Sequence, residues 1–118
     1  MVKVKNKKPV ELTYIKFDNP YVSNVSKVSW LQRAILIHSC LYYRYNKSII
    51  SDEKYDLICK QLSDMQKGLT ESEIKDTEYY QAFYDFDGST GFHLLSRLDV
   101  EQLELIEIIA SHAPQKLK

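Results

Sequence analysis

Residues 30–67, WLQRAILIHSCLYYRYNKSIISDEKYDLICKQLSDMQK, decide the fold. Their apolar spacing predicts two helices joined by a short polar link. Ser29 followed by Gln32 has the form of a capping box, which predicts a first helix from about Ser26 or Ser29 to Tyr45. Trp30, Ala34, Ile37, Leu41 and Tyr45 recur at the three-to-four spacing of a buried stripe, and Leu31, Ile35, His38 and Tyr42 make a second stripe beside it. A helix apolar on two stripes calls for more than one packing partner. After the link at 46–50, Ser51 is placed to cap a second helix. Asp52 and Glu53 fall in its first turn, where carboxylates suit the positive end of the helix dipole. Tyr55, Ile58, Cys59, Leu62 and Met65 give its buried side, and Gly68 is expected to end it as a C′ glycine. So short a link predicts an antiparallel helical hairpin over 29–67.

Outward from the hairpin the signals stay helical. Residues 10–17, VELTYIKF, alternate apolar and polar at first, which predicts a short extended segment. Asp18, Asn19 and Pro20 punctuate it. Residues 1–9, with Lys3, Lys5, Lys7 and Lys8, read as a flexible basic tail. Thr70 with Glu73 opens a third, more polar helix whose buried side is Ile74, Tyr79 or Tyr80, and Phe83. Residues 85–91, DFDGSTG, form a turn-rich loop, and 92–98 a short helical turn. Asp99 with Gln102 caps the last helix, which faces inward through Leu103, Ile106, Ile109 and Ala110. The expectation is a mainly α protein: one small helical domain at 10–112, with tails at 1–9 and 113–118.

The 16 basic and 16 acidic residues cancel, which argues against strong general binding to nucleic acid or to an anionic membrane. Cys40 and Cys59 lie in apolar helical patterns and read as reduced core thiols. No apolar stretch is long enough to span a bilayer and no signal-peptide core precedes the hairpin, so the expected location is the cytoplasm, the host's if the chain is phage-encoded.

The chemistry concentrates at the closed end of the hairpin. Asp52, Tyr55 and Asp56 stand at i, i+3 and i+4 and share a helix face. Tyr42 lies one short loop away. Two aromatic rings beside two carboxylates suit a flat cationic ring carried on a sugar: the ring faces attract the cation, and a carboxylate accepts hydrogen bonds from ribose hydroxyls. Oxidised nicotinamide nucleotides have those properties. Each residue also has a plainer reading, with Ser51-Asp52 as a helix cap, Tyr55 as core and Asp56 as a solvated charge. The 86–91 loop is a weaker candidate for phosphate contact, since it lacks the Lys-Ser/Thr ending of a P-loop. His38 and His93 read as packing or surface residues, and no Cys/His spacing fits zinc.

The ordered set His38, Leu41, Tyr42, Tyr43, then Ser51, Asp52, Tyr55, Asp56 and Leu62 resembles the N-terminal helical subdomain of NAD-dependent DNA ligases. That family shows His-x-x-x-Tyr-His or Tyr-Tyr on a helix, a loop, then Ser-Asp-x-x-Tyr-Asp and a leucine-bearing helix. The resemblance runs over about a third of the 118 residues. In the family this subdomain grips the nicotinamide mononucleotide (NMN) half of NAD. The resemblance implies that Tyr42 and Tyr55 flank the nicotinamide, that Asp52 and Asp56 face the ring and ribose, and that Tyr43 stands where many ligases have a histidine. The family's Asp-x-Pro before the Ser-Asp is replaced by Lys47, Ser48 and Ile49. The ligase nucleophile is missing: Asp87-Gly88 has Asp85, not a lysine, two positions before the aspartate. The implied protein is a non-catalytic, free-standing accessory module of phage or prophage type. It would bind NMN or NAD as a ligand and require no cofactor or metal. The alternative is an interaction module that docks on a host or phage replication or repair protein through its tyrosines.

Overall fold

A computed structural model describes residues 14–88 and 93–112. Among these residues five helices follow one another: α1 (Asn24–Tyr45), α2 (Asp52–Lys67), α3 (Glu71–Lys75), α4 (Tyr80–Phe83) and α5 (Val100–Ser111), with a 3-10 turn at Leu95–Arg97 before the last. No strand occurs among the described residues, and the protein is mainly helical, as the periodicity predicts. The predicted tails, positions 10–13 of the extended segment, 89–91 of the glycine-bearing loop and Phe92 lie outside the described residues. Residues 14–19 carry no regular secondary structure. Two contacts tie them to α2: the Tyr14 hydroxyl donates to Asp64, and the Gln61 amide accepts from Ile15 N at 2.9 Å and donates to Ile15 O at 2.9 Å, as a neighbouring strand would.

α1 starts earlier than its spacing predicts. Ser23 is the cap, its hydroxyl accepting from Ser26 N at 3.1 Å. Ser29 and Gln32 do not form a capping box; they sit inside the helix and serve the segment after α3. Ser29 Oγ accepts from Glu78 N at 2.9 Å, and the fully buried Gln32 accepts from Tyr79 N at 3.0 Å. α1 ends at Asn46, whose φ of 54° is left-handed and whose N–H turns back to Leu41 O. Gly68 differs from its expected role, closing α2 at a right-handed φ of −85°. The left-handed stop therefore belongs to Asn46, a residue whose short amide tolerates it.

Bonds between the first two helices fix their direction. Ser39 meets Tyr55 and Gln32 meets Gln66, so rising numbers on one run against falling numbers on the other: an antiparallel hairpin. α1 packs against both α2 and α5. The core combines Val28, Leu31, Ile35, Leu36, Cys40 and Leu41 with Ile58, Cys59 and Leu62, Tyr79 and Phe83, Leu94 and Leu95, and Ile106 and Ala110. Two partners rotate the buried face of α1 away from the predicted first stripe. Trp30 is half-exposed and packs edge-on against Phe17, at 5.7 Å between centroids, while Tyr42 and Tyr45 stay exposed. Cys40 and Cys59 are buried free thiols.

The predicted third helix is split. Thr70 and Glu73 form their capping box, but α3 stops at Lys75 and α4 restarts at Tyr80. The break has a cause in α1. The Gln32 amide takes the Tyr79 N–H and donates to Thr77 Oγ1 at 3.1 Å, and the Thr77 hydroxyl donates to Ile74 O at 2.7 Å. Those bonds replace the ladder that a continuous helix would make. Asp99 and Gln102 cap α5 as expected. Among the described residues, no helix is long and apolar enough to cross a membrane.

Candidate functional site

The Asn46 stop and the Ser51 cap set the last turn of α1 opposite the first turn of α2. Ser51 Oγ accepts from Lys54 N at 3.1 Å, so the serine does act as a cap. The link between is tightened by Ser48, whose hydroxyl donates to Ile50 O at 2.7 Å. An open cleft of about 540 Å³ lies here. All five residues singled out from the sequence line it: Tyr42, Tyr43, Asp52, Tyr55 and Asp56. His38 and Leu41 of α1, Ser48, Ile49 and Ile50 of the link, and Gly88 complete the described lining. Its size falls in the range of small-molecule sites, roughly 300–1,000 Å³.

The three phenol rings are held differently. Tyr42 and Tyr43 pack edge to face, with centroids 4.8 Å apart and planes at 85°, and both remain more than a third exposed. They form a corner of two aromatic surfaces open to solvent. Tyr55 is half-buried, packs against the core, and lies 2.8 Å through its hydroxyl from Ser39 Oγ. Ser39 is itself fully buried, so the ring is positioned from behind. Burial pushes the Tyr55 hydroxyl well above the usual phenol range, despite an opposing hydrogen bond from Ser39, and keeps it neutral. Asp52 and Asp56 are exposed on the first turns of α2. His38 is half-buried, and burial holds its imidazole below the usual range, so it presents a neutral ring at pH 7.

Sequence reasoning does not place Ser39 or the Ile49–Ile50 pair at the site, and it offers Gly88 only as part of the 86–91 loop, a weaker phosphate candidate of which residues 89–91 lie outside the described residues. Ser39 carries a weak signal, a hydroxyl one turn before Tyr42 and Tyr43 on an otherwise apolar face. Gly88 carries a clearer one in Asp87-Gly88. Its φ is +87°, and a Cβ there would meet Ser63 Cβ at 3.3 Å and Cys59 O at 3.5 Å. Gly88 thus lies directly on α2, which brings it to the cleft. Among the described residues, no group of three His, Cys, Asp or Glu side chains is arranged to hold a metal ion.

The cleft joins two exposed carboxylates, a solvent-open aromatic corner and a third, anchored ring. Such a surface can hold a flat cation between ring faces and accept hydrogen bonds from hydroxyl groups beside it. Compared with known proteins, the chain matches no protein-family model, no curated protein and no solved structure.

Proposed function

We propose that this chain is a non-catalytic, DNA-ligase-like accessory module of phage or prophage type that binds a nicotinamide nucleotide, NMN or NAD, at the closed end of the hairpin. One observation carries the reading: Tyr42, Asp52, Tyr55 and Asp56, grouped by helical spacing, and Tyr43, added by the ligase resemblance, line a single cleft of ligand size. Tyr42 and Tyr55 supply ring faces for the pyridinium, and Asp52 and Asp56 supply acceptors for the ribose and a counter-charge for the ring. The module is non-catalytic because Asp85 stands where a ligase-type nucleophile would need lysine. Its use is to sequester the nucleotide or to assist a separate catalytic subunit.

Titration calorimetry with NMN tests this. Binding at or below millimolar ligand is expected, with Asp56→Ala weakening it while unfolding free energy shifts by no more than about 0.5 kcal/mol, as for other exposed positions. Folded protein that gives no heat at millimolar NMN refutes the reading.

A second reading draws on α5, whose outward side exposes Val100, Leu105 and Ile108. It makes the chain a docking module for a replication or repair protein. In that case Ile108→Glu abolishes the complex, and Asp52 and Asp56 variants leave it intact.

A further inference from the structure

We infer that the cleft selects the cationic nicotinamide-ribose portion of its ligand and discriminates against a phosphate carried on the same molecule. The inference rests on the nicotinamide reading of this cleft and adds the ligand class. The charged side chains in the described lining are Asp52 and Asp56, both negative and both exposed at the mouth. The remaining polar groups are neutral: burial keeps His38 uncharged at pH 7, and the Tyr55 hydroxyl keeps its proton. Arg44, the cation beside Tyr43 in the sequence, is turned to Glu107 of α5 in an ion pair. At the positive end of α2, Ser51 Oγ takes the Lys54 N–H, and Asp52 and Glu53 put two carboxylates in the first turn.

A phosphate adds between one and two negative charges at pH 7. In this cleft those charges meet two carboxylates, whereas a pyridinium meets ring faces and opposite charge. The same surface thus attracts one end of a mononucleotide and repels the other. Because the carboxylates are exposed, salt damps both effects, with a screening length of about 8–10 Å at ordinary ionic strength.

The test compares nicotinamide riboside, NMN and the reduced, uncharged dihydronicotinamide riboside by calorimetry on the full chain at 20 and 300 mM salt. The expected order is riboside, then NMN, at least about tenfold weaker at low salt, with that gap narrowing at high salt. The reduced riboside binds at least about tenfold more weakly than the oxidised form. The double variant Asp52→Asn, Asp56→Asn is expected to abolish the preference for riboside over NMN while circular dichroism shows it folded. NMN binding as tightly as the riboside, or the reduced riboside binding as tightly as the oxidised form, overturns the inference and leaves nicotinamide nucleotide binding intact. Riboside binding without NMN binding at millimolar concentration upholds the inference and overturns the nucleotide reading. Failure of all three overturns both.

Discussion

Replacing Gln32 with leucine isolates the polar core that joins α1 to the rest of the chain. The Gln32 amide is fully buried and makes three bonds: it donates to Gln66 Oε1 and to Thr77 Oγ1, each at 3.1 Å, and accepts from Tyr79 N at 3.0 Å. Leucine has similar volume, so the change strands partners without opening a large cavity. Thr77 keeps a partner in Ile74 O. The Tyr79 N–H and Gln66 Oε1 are left buried and unpaired. Each stranded group costs about 1–3 kcal/mol, so the variant loses about 2–6 kcal/mol in all. That is a large share of the roughly 5–15 kcal/mol that holds a domain of this size folded. Urea unfolding followed by circular dichroism reads the loss directly. With a slope of roughly 1–2 kcal/mol per molar, the midpoint falls by more than about 1 M. Combining Gln32→Leu with Gln66→Leu should cost less than the sum of the two, because the two amides are partners. A loss under about 0.5 kcal/mol for Gln32→Leu, the range of neutral surface changes, refutes the reasoning.

Three further outcomes are expected. Gly88→Ala forces a side chain into a left-handed backbone against Ser63 and should cost about 1–3 kcal/mol in chemical denaturation, and it should weaken NMN binding because Gly88 lines the cleft. His38 has a folded pKa below its unfolded value, so its contribution to stability is complete above about pH 6.5 and is lost as pH falls from there through the lower folded value; His38→Gln should flatten the stability profile between pH 7 and 5. Burial pushes the Cys59 thiol up to about 12 and raises that of Cys40, so iodoacetamide at pH 8 should label the native protein at least about a hundredfold more slowly than the urea-unfolded chain.

The parts of the fold legible in the sequence are those that act within one turn. Ser51, the Thr70–Glu73 box and the Asp99–Gln102 box all cap where local pattern puts them, because a cap satisfies backbone N–H groups two or three residues away. The parts that escaped depend on distant partners. Ser29 and Gln32 match a capping box in spacing, yet their polar atoms are claimed by Glu78 and Tyr79, 49 and 47 residues later. The same bonds break the predicted third helix. Trp30 reads as core by periodicity, but it lies at the start of the stripe, half-exposed, with Phe17 packed edge-on against it.

The candidate site follows the same division. Tyr42 and Tyr43 stand in the last turn of α1, and Asp52, Tyr55 and Asp56 in the first turns of α2; only the chain reversal at residues 46–51 separates them. Asn46 supplies the stop and Ser51 the restart, so two local signals suffice to place five side chains around one hollow. The groups that refine the hollow come from farther away. Ser39 reaches Tyr55 across the hairpin, and Gly88 arrives from a loop resting on α2. Their influence is on rigidity and shape: a ring tethered by a buried hydroxyl loses less freedom when a ligand stacks on it than one held only at its Cβ. Removing the tether with Ser39→Ala should therefore weaken NMN binding in calorimetry through the mobility of Tyr55, even though Ser39 is absent from the described lining.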